Sequence, residues 1–196
     1  MENTITLIGK IGFEPEDFTR KHKDQASWKK IAMIFIQGEI CEYYAWFLQK
    51  RYNITLNKPL RGAHISFIND SMYDLTQKGQ VSEEVALERW EECKKKWDGK
   101  EIELVLELNY KTDDRSWWLN IPQDKRELLH EIRAEIGLVR PHFGLHMSLG
   151  YANQNNIQHS TYIHETISKG LQVANHNLIQ SWINKGVLKY KDEKFI

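Results

Sequence analysis

Two short stretches decide how this chain reads: Ala63-His64-Ile65-Ser66-Phe67 and Leu145-His146-Met147-Ser148-Leu149. Each alternates apolar and polar residues, the pattern of a half-buried strand. His64 and Ser66 therefore share one face, while Ala63, Ile65 and Phe67 occupy the other. The second stretch repeats this with His146 and Ser148. Each strand carries an imidazole and a hydroxyl, ~7 Å apart along the chain, on the face turned away from its apolar packing. Two further His-x-Thr pairs, His159/Thr161 and His164/Thr166, lie in a polar segment without that alternation and read as surface or helix residues.

Working outward, Lys30 to Gln37 is a nearly continuous apolar run and predicts a buried strand. Gly38 breaks it, and Ile40, Cys41, Tyr44, Phe47 and Leu48 recur at helical spacing up to about Tyr52. The first His-x-Ser strand follows and ends in the turn-forming Asn69-Asp70-Ser71. Ser82-Glu83-Glu84-Val85 reads as a helix start, and the stripe Val85, Ala86, Trp90, Cys93, Trp97 runs to Asp98-Gly99. Ile102 to Leu108 alternates with acidic residues as a half-buried strand, with Trp117 to Ile121 as its expected partner. Pro122 opens a helix carrying Leu128, Leu129, Ile132 and Ile136 and closing near Gly137. An alternating strand is expected from about Phe143 to Tyr151, then a polar tail with a helix near Tyr162 to Lys185. The stretch around Glu14-Pro15-Glu16-Asp17 reads as an irregular lead-in. Strand, helix, strand appears around residues 30–68 and again around 101–150, so the expected fold is α+β and bilobal, with a cleft between two antiparallel sheets. The lobes span about 28–98 and 99–152, with a helical extension over 153–196, all in a single domain.

Paired histidines suit phosphodiester cleavage. One group must activate the attacking oxygen and another protonate the leaving oxygen; an ordinary histidine pKa of about 6.5 lets one imidazole do each near neutral pH. Serine hydroxyls can donate to the non-bridging phosphate oxygens as charge grows there. A serine nucleophile fits less well. His and Ser two apart on a strand stand side by side, and no orienting carboxylate accompanies them.

With His64-Ile65-Ser66 and His146-Met147-Ser148 separated by 82 positions, the chain resembles the two-histidine (2H) phosphoesterases, a family defined by two His-x-Ser/Thr motifs on strands of a bilobal, pseudo-symmetric α+β fold with helices outside. That family includes 2′,3′-cyclic phosphodiesterases, enzymes cutting 2′-5′ linked oligoadenylates, and phage enzymes that destroy cyclic oligonucleotide signals. The resemblance implies a metal-independent phosphodiesterase without a cofactor, acting on a small nucleotide or short oligonucleotide, with His64 and His146 as the acid-base pair and Ser66 and Ser148 as phosphate clamps. The chain differs from the common pattern in having Ser at both hydroxyl positions and a long tail after the second motif. The competing readings are a non-catalytic protein that sequesters a nucleotide in the same cleft, and an RNA-processing partner acting through its tail.

Substrate-binding candidates surround the motifs. Arg61 and Arg140 precede the two strands and suit phosphate oxygens. His142 is expected at the pocket rim: in a strand it is ~13 Å from His146, too far for the two to share one metal ion. Trp117 and Trp118 point to opposite faces, so at most one enters the cleft, where it could stack on a base, and the other is core; Trp117 is taken for the cleft, with Tyr151 as a further candidate.

Composition narrows the partners. Among 196 residues, 27 Lys+Arg balance 27 Asp+Glu, which argues against coating duplex nucleic acid. No apolar run approaches the ~20 residues of a membrane span, and Met1-Glu2-Asn3-Thr4 lacks the basic and apolar regions of a signal peptide, so a cytoplasmic protein is expected. Cys41 and Cys93 sit in helical apolar patterns and read as buried thiols.

Overall fold

The computed structural model describes residues 3–15, 29–113, 115–141 and 144–152. The expected tail helix and His142 lie outside the described residues. Seven strands and four α-helices make a mixed α+β fold with two antiparallel sheets among the described residues.

The first sheet has the order β3-β2-β1-β4. Its strands are β1 (Thr4–Phe13), β2 (Lys29–Ile36), β3 (His64–Ser71) and β4 (Glu101–Glu107). β1, a ten-residue strand in the interior of the sheet, was not anticipated from the sequence; it ends at Phe13, before the irregular Glu14-Pro15 stretch. Ile5, Leu7, Ile11 and Phe13 point to its buried face, each contributing roughly 1.5–3 kcal/mol by leaving water. β4 pairs with β1, from Thr4 opposite Glu107 to Lys10 opposite Glu101. The expected pairing of β4 with the Trp117 strand is therefore corrected: β4 is an edge strand of the first sheet.

The second sheet has the order β5-β6-β7, from Lys111–Thr112, Ser116–Asn120 and His146–Tyr151. The last strand begins at His146, after Gly144 and Leu145; Phe143, the expected start, lies outside the described residues. A helix from Ile40–Tyr52 (α1) follows β2 yet packs on β7, and one from Glu127–Glu135 (α4) follows β6 yet packs on β3. Each sheet's motif strand is thus backed by the helix that follows the other sheet's strand. A short 3-10 turn, Gln123–Lys125, precedes α4, and Gly137 beyond it adopts φ +84°, the left-handed conformation that favours glycine at a helix end.

Between these lie α2 (Met72–Gly79) and α3 (Glu83–Trp97), which pack together. Instead of ending in a simple turn, β3 runs directly into α2 through a capping box. Ser71 Oγ accepts from the Asp74 N–H, and the Asp74 carboxylate accepts from the Ser71 N–H, both at 3.1 Å. Hydrogen bonds from Lys78 and Ser71 hold the Asp74 carboxyl down at about 2.

Candidate active site

The two motif strands are more alike than their sequences suggest. On β2 and β3, His64 lies opposite Phe35, Ile65 opposite Ile34 and Ser66 opposite Met33. The register then slips, leaving Phe67 as an extra residue before Ile68 meets Ala32 and Asn69 meets Ile31. On β6 and β7, His146 lies opposite Asn120, Met147 opposite Leu119 and Ser148 opposite Trp118. Leu149 is again extra, before Gly150 meets Trp117 and Tyr151 meets Ser116. Both strands therefore bulge at the residue after the motif serine. Burial follows the same order in both: half-buried His, buried apolar residue, half-buried Ser, two buried residues, then an exposed one.

The bulges have a directional effect. Strict alternation would turn Ile68 and Gly150 onto the face of the motif side chains. The extra residue buries two successive positions instead and brings Asn69 and Tyr151 to that face.

The imidazoles are held in the same way. His64 Nδ1 lies 2.9 Å from the carbonyl oxygen of Gly62, and His146 Nδ1 lies 2.8 Å from that of Gly144. A carbonyl only accepts, so Nδ1 is the donor in both rings; in the neutral imidazole this makes Nε2 the basic nitrogen. The sequence-level motif is thus longer than His-x-Ser: a glycine two residues before each histidine supplies the orienting carbonyl.

A cavity of about 290 Å3 opens beside these strands, at the small end of the range for ligand sites. Its wall brings together His64, Ser66 and Asn69 from β3, Ser148, Gly150 and Tyr151 from β7, Ser116 from β6, Ile31 and Met33 from β2, and the loop Pro59-Leu60-Arg61. His146 is not part of this wall. It shares the face of Ser148, and its ring packs on Trp118 with centroids 5.8 Å apart. Trp118 Nε1 donates to Asn120 Oδ1 at 3.1 Å, which fixes the indole.

Two binding candidates lie away from this cavity wall. Trp117, opposite buried Gly150, is 3% exposed and belongs to the core, while Trp118, opposite Ser148, is the indole beside the motif. Arg140 lies outside the cavity wall, in an exposed pair 3.4 Å from Glu127. Arg61 and Tyr151 are on the wall. Tyr151 is anchored by its backbone, which exchanges hydrogen bonds of 3.0 and 2.7 Å with Asn57. Gly150 permits that approach: a Cβ there would stand 2.7 Å from the Asn57 carbonyl oxygen.

Reading the sequence missed Asn69, Ser116 and Met33. Ser116 and Met33 carry no local signal, since their facing depends on register; Asn69 was hidden by the bulge. Both cysteines are free and buried. Burial pushes the Cys41 and Cys93 thiols up to about 12, so neither supplies a thiolate near neutral pH. No group of three or more His, Cys, Asp or Glu side chains placed to hold a metal ion occurs among the described residues, and no helix there is long and apolar enough to cross a membrane. Comparisons with family models, with curated proteins and with solved structures found no match to this chain.

Proposed function

We propose that this protein is a metal-independent phosphodiesterase of the two-histidine type, cleaving a small nucleotide phosphodiester that is 2′,3′-cyclic, 2′-5′ linked or part of a cyclic oligonucleotide. The observation that carries this reading is the matched pair of Gly-x-His-x-Ser strands, with the same register, the same bulge and the same Nδ1 to carbonyl bond. Two unrelated core histidines have no reason to share all three.

With the phosphate between the Ser66 and Ser148 hydroxyls, the neutral imidazole takes a proton from the attacking water or ribose hydroxyl through Nε2. The new O–P bond forms, the bond to the leaving oxygen breaks, and the protonated second imidazole gives that oxygen its proton. The serines donate to the non-bridging oxygens, where negative charge accumulates. The Gly62 and Gly144 carbonyls keep each ring oriented in both protonation states, since Nδ1 donates throughout. Arg61 on the cavity wall adds positive charge toward a phosphate.

Product analysis tests this with EDTA present and a panel of 2′,3′-cyclic nucleotides, 2′-5′ oligoadenylates and cyclic di- and trinucleotides. One class should be converted, and His64→Ala and His146→Ala should each lower turnover by at least ~100-fold. Near-normal turnover in both variants refutes the mechanism. Recovery of every compound intact, with one of them bound, assigns the cleft to sequestration.

A further inference from the structure

The motifs treat the phosphate alike from both sides, so whatever selects one nucleotide over another must come from where the two halves differ. One such difference on the cavity wall is at the position five residues after each histidine, which the bulges bring to the motif face: Asn69 on β3 and Tyr151 on β7. We propose that Asn69 is the base-reading residue of the cleft, its amide hydrogen-bonding the edge of the nucleobase attached to the bound phosphate. This rests on the reading above for the ligand being a nucleotide.

Three observations converge on Asn69. Its side-chain amide makes no hydrogen bond among the described residues, although its own backbone N–H is engaged, at 3.1 Å, by the Asp70 carboxylate. Its backbone is clamped on both sides by one buried guanidinium: Arg133, 2% exposed, donates to the carbonyl of the bulged Phe67 at 2.7 Å and grips Asp70 at 2.8 and 3.1 Å. The amide is thus presented from a fixed point rather than a loose strand end. The same wall carries apolar side chains, Ile31 directly opposite Asn69 and the Pro59-Leu60 loop elsewhere on it, surfaces suited to the face of a flat ring. An amide offers a donor and an acceptor side by side, the pattern that adjacent groups on a base edge complement. A ligand edge that meets this pattern is preferred over one that presents two donors or two acceptors to it.

Calorimetric titration of the whole protein with the 3′-monophosphates of adenosine, guanosine, cytidine and uridine, and with ribose 5-phosphate as the baseless probe, tests the assignment. The four nucleotides should differ in affinity by roughly 5- to 150-fold between best and worst. Asn69→Leu should compress that range to within about 3-fold while leaving ribose 5-phosphate binding unchanged. Asn69→Asp, which only accepts, should move preference toward guanine, whose N1–H and N2–H both donate. An unchanged ranking in Asn69→Leu, equal loss for ribose 5-phosphate, or no binding of any nucleotide to the wild type overturns the proposal. Base ranking that depends on Asn69 without any turnover overturns the phosphodiesterase reading and leaves this one standing; turnover with a ranking indifferent to Asn69 does the reverse.

Discussion

A hydroxyl that donates to a phosphate oxygen contributes most when charge is greatest, so Ser66 and Ser148 should act on turnover more than on binding. Ser66→Ala and Ser148→Ala are each expected to lower kcat by about 10²- to 10³-fold with KM little changed. Threonine at either position keeps the hydroxyl and should restore most of the rate. Steady-state kinetics on the converted substrate decides this; an equal effect on KM would mean that the serines hold the ground state instead. The two histidines differ in surroundings despite matched hydrogen bonds. His64 lies on the cavity wall with Met33 across from the adjacent serine, whereas His146 leans on an indole.

At the scale of elements, Arg133 joins α4 to the end of β3. Besides its bonds to Phe67 and Asp70, its Nε and an Nη donate to the Val139 carbonyl at 3.0 and 2.9 Å. Removing the guanidinium leaves the Asp70 carboxylate, 13% exposed, without its ion-pair partner. Arg133→Met should therefore cost about 3–5 kcal/mol in urea unfolding, and Asp70→Leu added to it should recover part of the loss. A double variant no better than the single one would show that the cost lies in the Phe67 and Val139 carbonyls.

The same elements show what a sequence makes legible. β3 and β7 could be read because each face carries one chemistry, and the placement of their histidines and serines on one face came with them. β1 also alternates, but Gly9 and Gly12 thin its apolar pattern. Its pairing with β4 joins residues about a hundred positions apart, and no local signal encodes such a partner. α2 buries only Leu75, so its mark was the Ser71/Asp74 cap rather than an apolar stripe. The choice between Trp117 and Trp118 turned on a bulge in the partner strand, and parity along one strand cannot supply the register across two.

For the whole molecule, acid should weaken the fold partly through His130 on α4. Its Nδ1 is buried without a hydrogen-bond partner among the described residues, and desolvation, helped by Arg140, holds the imidazole below the ordinary histidine value. The unfolded chain takes up a proton near that ordinary value of about 6.5 and the folded one resists it. Stability is therefore unaffected above it and falls as pH drops below it. Urea midpoints at pH 8 and pH 5.5 should differ less in His130→Gln than in the wild type; an unchanged difference would assign the acid sensitivity to other groups.

The crossed helices carry a last consequence. Cys41 on α1 donates to the Ser148 carbonyl at 3.5 Å, and Arg133 on α4 to the Phe67 carbonyl, so each motif strand is braced by chain belonging to the other half. Neither sheet can loosen alone without releasing the brace on its counterpart. The molecule should lack any half-active intermediate: on heating, ligand capture and ellipticity should vanish together in one calorimetric peak. Fragments 1–108 and 109–196, cut after β4 so that each keeps the strands of one sheet, should be inert when separate and regain binding only when mixed.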